Sequence, residues 1–185
     1  MSERYKAFEP QAPYFITFTL VDWLRLLTLP KISDIITDSL KYCQQSKGLE
    51  IYGYCIMPSH IHLIVRSEIS TLGSVMRDLK KFTAFRIAQY LKTEASLKHN
   101  YHLFHEKAKA SVRHKKIKVW IEGYHPKLIY SSRIFYQKLN YIHQNPVKAG
   151  LVKQAEDYYF SSARNYAGLS SPLEIVIESR ELLTY

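Results

Sequence analysis

Two runs rich in β-branched and aromatic residues, "LEIYGYCIM" (49–57) and "HIHLIVRS" (60–67), are separated only by Pro58 and Ser59. So short a connection sends the second run back alongside the first, which predicts an antiparallel hairpin. The other elements are placed around that ribbon. "YFITFTLVDW" (14–23) reads as an earlier strand by the same composition. Between it and the hairpin, Pro30 opens a helix to about Lys47, with Ile32, Ile35, Ile36 and Leu40 at helical spacing and Gly48 as its stop. Leu72, Val75, Met76, Leu79 and Phe82 repeat at helical spacing within a second helix over 71–92. "IKVWIEGY" (117–124) reads as a fourth strand, and 93–116, basic and weakly periodic, as an exposed connection. Ser131 or Ser132 caps a further helix from about Arg133 to Asn145, which Pro146 is expected to end. The order βαββαβ predicts an α+β, ferredoxin-like antiparallel sheet with one additional helix after it. Such a fold hosts many functions, so the chemistry has to come from particular side chains.

Charge narrows the class of partner. Of 26 Lys and Arg and 16 Asp and Glu, residues 51–155 hold 18 basic against five acidic, a local +13 within a net +10. A basic middle interleaved with aromatics (15 Tyr in all) suits a polyanion, most often nucleic acid, although charge alone also describes a solubilising surface. Cys43 and Cys55 form no CxxC pair and predict no disulfide framework, which suits a reducing cytoplasm. The first dozen residues lack an apolar core, and no stretch reaches about 18 apolar residues, so neither secretion nor membrane spanning is expected.

Within the second hairpin strand, His60 and His62 are two residues apart and share a face, while Ile61, Leu63 and Val65 share the other. Two neutral imidazoles on one face form half of a divalent-metal site, but a bare His-x-His spacing fits two solvated side chains as well. The helix at 133–145 adds to this. Phe135, Leu139 and Ile142 form its apolar stripe, and Lys138, Tyr141 and Asn145 lie on a neighbouring one. A phenol is a poor nucleophile unless a cation or base helps, and a carboxamide oxygen suits Mg²⁺ or Mn²⁺. Lys138, one turn before Tyr141, is placed to lower the phenol pKa or simply to sit in solvent.

"YGYCIMPSHIHLIV" and "YIHQNPVKAGLV", with "TLVDWL", "WIEGYHPKLI" and "YYFSSARNY", resemble the HUH single-tyrosine transposases. Within that group they look most like the REP-associated tyrosine transposases, relatives of small insertion-sequence transposases. The resemblance covers about residues 12–167, and a domain over 1–167 followed by a tail at 168–185 is the expected organisation. It implies that His60 and His62 bind a divalent metal, Mg²⁺ or Mn²⁺, with Asn145 as third ligand and Gln144 as its competitor. It implies Tyr141 as the nucleophile on single-stranded DNA beside a hairpin, a covalent 5′-phosphotyrosine, and action as a monomer or homodimer. Ser59 stands where many relatives carry Asn, a change between two turn-forming residues. The rival expectation is a DNA- or RNA-binding regulator that keeps the fold without the chemistry, while a cupin-like metal protein would lack the nucleophile helix. Lys80, Lys81, Arg86, Lys115, Lys116 and Lys118 are candidates for phosphate contacts, and Tyr124 and His125 for stacking on unpaired bases. Trp120, inside the expected strand, reads as core.

Overall fold

In the computed structural model, which describes residues 12–111 and 116–177, β2 (Leu49–Ile56) and β3 (His60–Ser67) pair antiparallel as the short connection requires. Strand β1 (Tyr14–Thr19) pairs antiparallel with the other edge of β3, setting Thr17 opposite His62 and Thr19 opposite His60. A two-residue strand, β4 (Lys127–Leu128), continues the sheet beyond β1, giving the order β2-β3-β1-β4. That order, with α1 (Pro30–Lys47) and α2 (Leu72–Thr93) as crossovers, is the expected ferredoxin-like arrangement.

Alternation sorts the sheet into two faces. Ile61, Leu63 and Val65 join Ile16, Phe18, Ile36, Leu40, Val75 and Met76 in the larger core, under α1 and α2. Phe15, Tyr52, Cys55 and Ile64 form a second core with Phe135, Leu139 and Ile142 of α4 (Ser132–Lys148). On β2 the register slips between Ile51 and Gly53. This bulge keeps both Ile51 and Tyr54 in the larger core although they are three residues apart. Gly53 is required there for a second reason: a Cβ on it would lie 2.7 Å from Leu139 Cδ1, so α4 packs directly on bare backbone.

Several expectations change. Residues 98–109 form a helix, α3 (Lys98–Lys109), where an exposed connection was expected. Phe104 and Ala108 are buried, so a two-residue apolar stripe sufficed once α2 was there to receive it. Residues 117–124 are not a regular strand. They follow the β1 edge, with Val21 N–H donating to Val119 O, Ile121 N–H to Thr19 O and Thr17 N–H to Tyr124 O. A regular ladder survives only at 127–128, because Gly123 (φ 80°) and His125 (φ 43°) turn the backbone out of the extended region and Pro126 has no N–H to give. Helix α4 runs through Pro146 to Lys148, since its stop is Gly150 (φ 68°). There Gly150 N–H donates to Val147 O and Leu151 N–H to Pro146 O, the paired bonds of a Schellman motif. Phe82 is half-exposed although it lies on the expected apolar stripe of α2. Trp120 is buried, with Nε1–H donating to Thr83 Oγ1 at 3.1 Å. Among the described residues no helix is long and apolar enough to cross a membrane.

Candidate active site

The α4 face of the sheet is covered only along part of its length. At the end of β3 where the hairpin turns, an open cleft of about 750 Å³ remains. It is lined by Phe15 and Thr17 of β1, His60 and His62 of β3, and Lys138 and Tyr141 of α4, with Trp23, His125, Pro126 and Lys127 along the rim. Strand period two and helix period 3.6 thus bring the histidine pair and the candidate nucleophile into one place from about eighty positions apart in the chain.

The two imidazoles lie 4.7 Å apart by ring centroid, and the Tyr141 ring meets His62 edge-on at 5.3 Å. His62 is 4% exposed, whereas Tyr141 is 42% exposed, so the phenol faces a space that a polymer can enter while His62 is shielded. Thr17 Oγ1 lies 2.8 Å from His62 Nδ1, and Ser59 Oγ lies 3.1 Å from His60 Nδ1. The Nε2 of His62 is buried with no hydrogen-bond partner. An orphaned buried nitrogen is costly unless something coordinates it. A ring held through Nδ1 with Nε2 left over is the arrangement seen in metal-ligating histidines. Burial lowers the pKa of both rings, that of His62 to about 3 with the neighbouring His60 adding to the effect. Both are therefore neutral near pH 7 and have lone pairs to give. This donor set fits a divalent cation.

Lys138 Nζ lies 5.2 Å from the Phe15 ring centroid and 6.0 Å from that of Tyr141, placing a cation beside the phenol, as its spacing on the helix implied. Asn145 and Gln144 do not line the cleft. Asn145 Nδ2 donates to the Tyr141 carbonyl at 2.8 Å, one turn back along α4. Among the candidate phosphate contacts, Lys80 is engaged internally, with Nζ donating to the carbonyls of Ile121, at 2.8 Å, and of Gly123. Lys118 Nζ lies 3.6 Å from Glu122. Lys81, Arg86 and Lys116 are exposed away from the cleft, and Lys115 lies outside the described residues. Tyr124 packs against the larger core, while His125 reaches the cleft.

Sequence reasoning missed Trp23, Thr17 and Lys127. Trp23 is 59% exposed, holds φ 55° and meets His60 edge-on at 5.5 Å. A hydroxyl in the otherwise apolar "YFITF" was the available signal for Thr17; nothing local marked Trp23 as a surface residue.

The family model for IS200-like transposases matches residues 25–124, more than half of the chain and including both histidines. The chain belongs to that family. It is 26% identical over 164 residues to a Haemophilus influenzae protein named "Putative REP-associated tyrosine transposase", covering 88% of this chain and 85% of that one. In three dimensions it superposes on a REP-associated tyrosine transposase solved bound to a REP hairpin. That match has a TM-score of 0.65 and 20% identity, and covers 100% of this chain and 98% of the other. At that identity the likeness establishes a shared fold that extends past residue 124 to include α4.

Proposed function

We propose that the chain is a metal-dependent endonuclease and strand transferase for single-stranded DNA, with Tyr141 as its nucleophile. The observation that carries this is the shared cleft: an exposed phenol edge-on to the neutral imidazole of His62, with His60 beside that ring and Lys138 and Lys127 flanking. The Tyr141 oxygen, its proton lost to water, attacks the phosphorus of a backbone phosphodiester in line with the 3′ oxygen. The P–O3′ bond breaks, the 3′ oxygen takes a proton and leaves as a free hydroxyl, and the 5′ phosphate stays esterified to Tyr141. Because the ester keeps the bond energy, a second 3′ hydroxyl attacking the same phosphorus restores a phosphodiester and frees the tyrosine. Lys138 and Lys127 at the cleft attract the phosphate backbone by charge.

His60 and His62 would hold Mg²⁺ or Mn²⁺ through Nε2; for Asn145, or Gln144 beside it, to be the third protein donor, its side chain would have to turn into the cleft that it does not line here. When bound, the ion supplies charge neutralisation at a non-bridging phosphate oxygen. Thr17 and Ser59 orient the two rings through Nδ1. The hairpin-bound relative makes folded single strands the first substrates to try.

The test is incubation with labelled hairpin oligonucleotides and Mg²⁺ or Mn²⁺, followed by a denaturing gel. Wild type is expected to give cut DNA and a covalent protein–DNA band, both lost with chelator and in Tyr141→Phe. Binding of the oligonucleotide without cutting, alike in wild type and Tyr141→Phe, would overturn the catalytic reading and leave a binding protein.

A further inference from the structure

Lys80 was a candidate phosphate contact by charge, yet its ammonium is turned inward. It donates to the carbonyls of Ile121 and Gly123, which belong to the strap between α3 and β4. The strap is pinned to α2 a second time by Trp120 Nε1–H on Thr83, and to β1 by Ile121 N–H on Thr19 O. At the end of these ties the backbone is left-handed at Gly123 and again at His125, and a non-glycine residue in that region is uncommon. The same turn delivers His125, Pro126 and Lys127 to the rim of the cleft, together with Tyr141 and the histidine pair. A left-handed non-glycine residue persists only where its surroundings hold it, and such residues cluster at functional sites. Burial lowers the Lys80 pKa to about 8, with Glu122 pulling the other way.

We propose that Lys80 is a positioning residue for strand cleavage: by binding the carbonyls of Ile121 and Gly123 it holds the strap so that His125 and Lys127 stay in the cleft beside Tyr141. The inference rests on the reading of the cleft as the site of DNA cleavage. Loss of the ammonium frees the strap and lowers the rate of the chemical step, while the binding of DNA phosphates elsewhere is unchanged.

Two variants test it. Lys80→Met removes the cation while keeping the chain's bulk, and Gly123→Ala disturbs the strap at its left-handed turn while leaving the Lys80 ammonium in place. Amide hydrogen exchange on the DNA-free protein is expected to quicken in both variants over residues 119–126 and not in β3. Single-turnover formation of the covalent adduct is expected to fall roughly 10–100-fold, the scale of a small misplacement of reacting groups. The salt dependence of hairpin binding should stay as in wild type. A slope reduced by about one in Lys80→Met marks an ordinary phosphate contact and overturns the proposal. Unchanged strap exchange overturns it as well, and so does adduct formation at the wild-type rate. If Lys80→Met does not fold, Lys80→Gln, which also removes the cation, decides by the same readouts. If wild type itself forms no adduct, the cleavage reading falls, and exchange alone still reports whether Lys80 holds the strap.

Discussion

The two faces of β3 show how one strand can serve two purposes. Ile61, Leu63 and Val65 are fully buried under α1 and α2, in a core that extends along the whole sheet. On the other face Ile64 is equally buried under α4, but His62, shielded by Tyr141 and Phe15, and the more open His60 line a cleft where the apolar stripe of α4 ends. The difference arises from what covers each face rather than from the strand itself. Two long crossover helices close one side; α4 and the segment around Tyr158 that follows it, arriving from later in the chain, close only part of the other. Where cover stops, polar side chains can be held by buried neighbours and still meet a ligand. The core and the candidate site are therefore divided between alternate residues of one strand.

Breaking the closed face should cost the most stability. Leu63→Ala removes a fully buried side chain and is expected to destabilise by about 2–5 kcal/mol. Urea or thermal melts check this, and the contrast is Tyr141→Phe, whose half-exposed ring should leave the midpoint within about 0.5 kcal/mol of wild type. If the two variants melt alike, the faces are not divided as described.

A substitution that couples the faces comes next. Gly53→Ala places a methyl 2.7 Å from Leu139 Cδ1, so either α4 shifts or the β2 bulge does. Overpacking of this kind costs about 1–3 kcal/mol. Because α4 carries Tyr141 and Lys138, adduct formation should fall further than the loss of folded protein accounts for. A rate that tracks the folded fraction alone would show that α4 is not held by that contact.

Much of this division is readable in the sequence because it depends on periodicity. The bounds of α1 are legible since Pro30 sits in its first turn and Gly48 takes the left-handed position after it. The hairpin and the two-residue alternation of His60 and His62 follow from strand geometry, and Tyr141 from its stripe beside Phe135, Leu139 and Ile142. What depends on contacts between distant elements is not legible. Residues 117–124 have strand composition, but Gly123, His125 and Pro126 break the ladder they would form with β1. Pro146 stops a helix by rule, yet here it falls in a last turn whose end is set by Gly150 and the bonds around it. α3 is a helix because α2 offers a surface for Phe104, which local pattern does not record. Lys80 carries the same charge in sequence whether it faces a phosphate or two carbonyls, so its inward turn is invisible before folding.

The smallest expected effect concerns acid. On α4, His143 Nε2 lies 2.9 Å from Ser162 Oγ, which also accepts from Tyr54 N–H and donates to Tyr54 O, tying α4 to β2. Burial lowers the His143 pKa to about 4, below the ordinary value near 6.5 that an unfolded chain shows. Between those two pH values the unfolded chain takes up a proton that the folded chain refuses, so stability falls as pH drops from about 6.5 to about 4. Below about 4 both states are protonated at this site and its contribution stops changing. His60 and His62 are shifted in the same direction, so they share in the same loss in metal-free protein. His143→Gln is expected to remove one part of the slope, a few degrees of Tm across that window. Adding Mn²⁺ should diminish the part due to the cleft histidines, since a cation that binds only the folded state raises its stability. Melts of wild type and His143→Gln from pH 7 to 4, with and without Mn²⁺, separate the two contributions. Parallel curves for the two proteins without metal would mean that His143 is already open to water, and that α4 is held to the sheet by its apolar stripe alone.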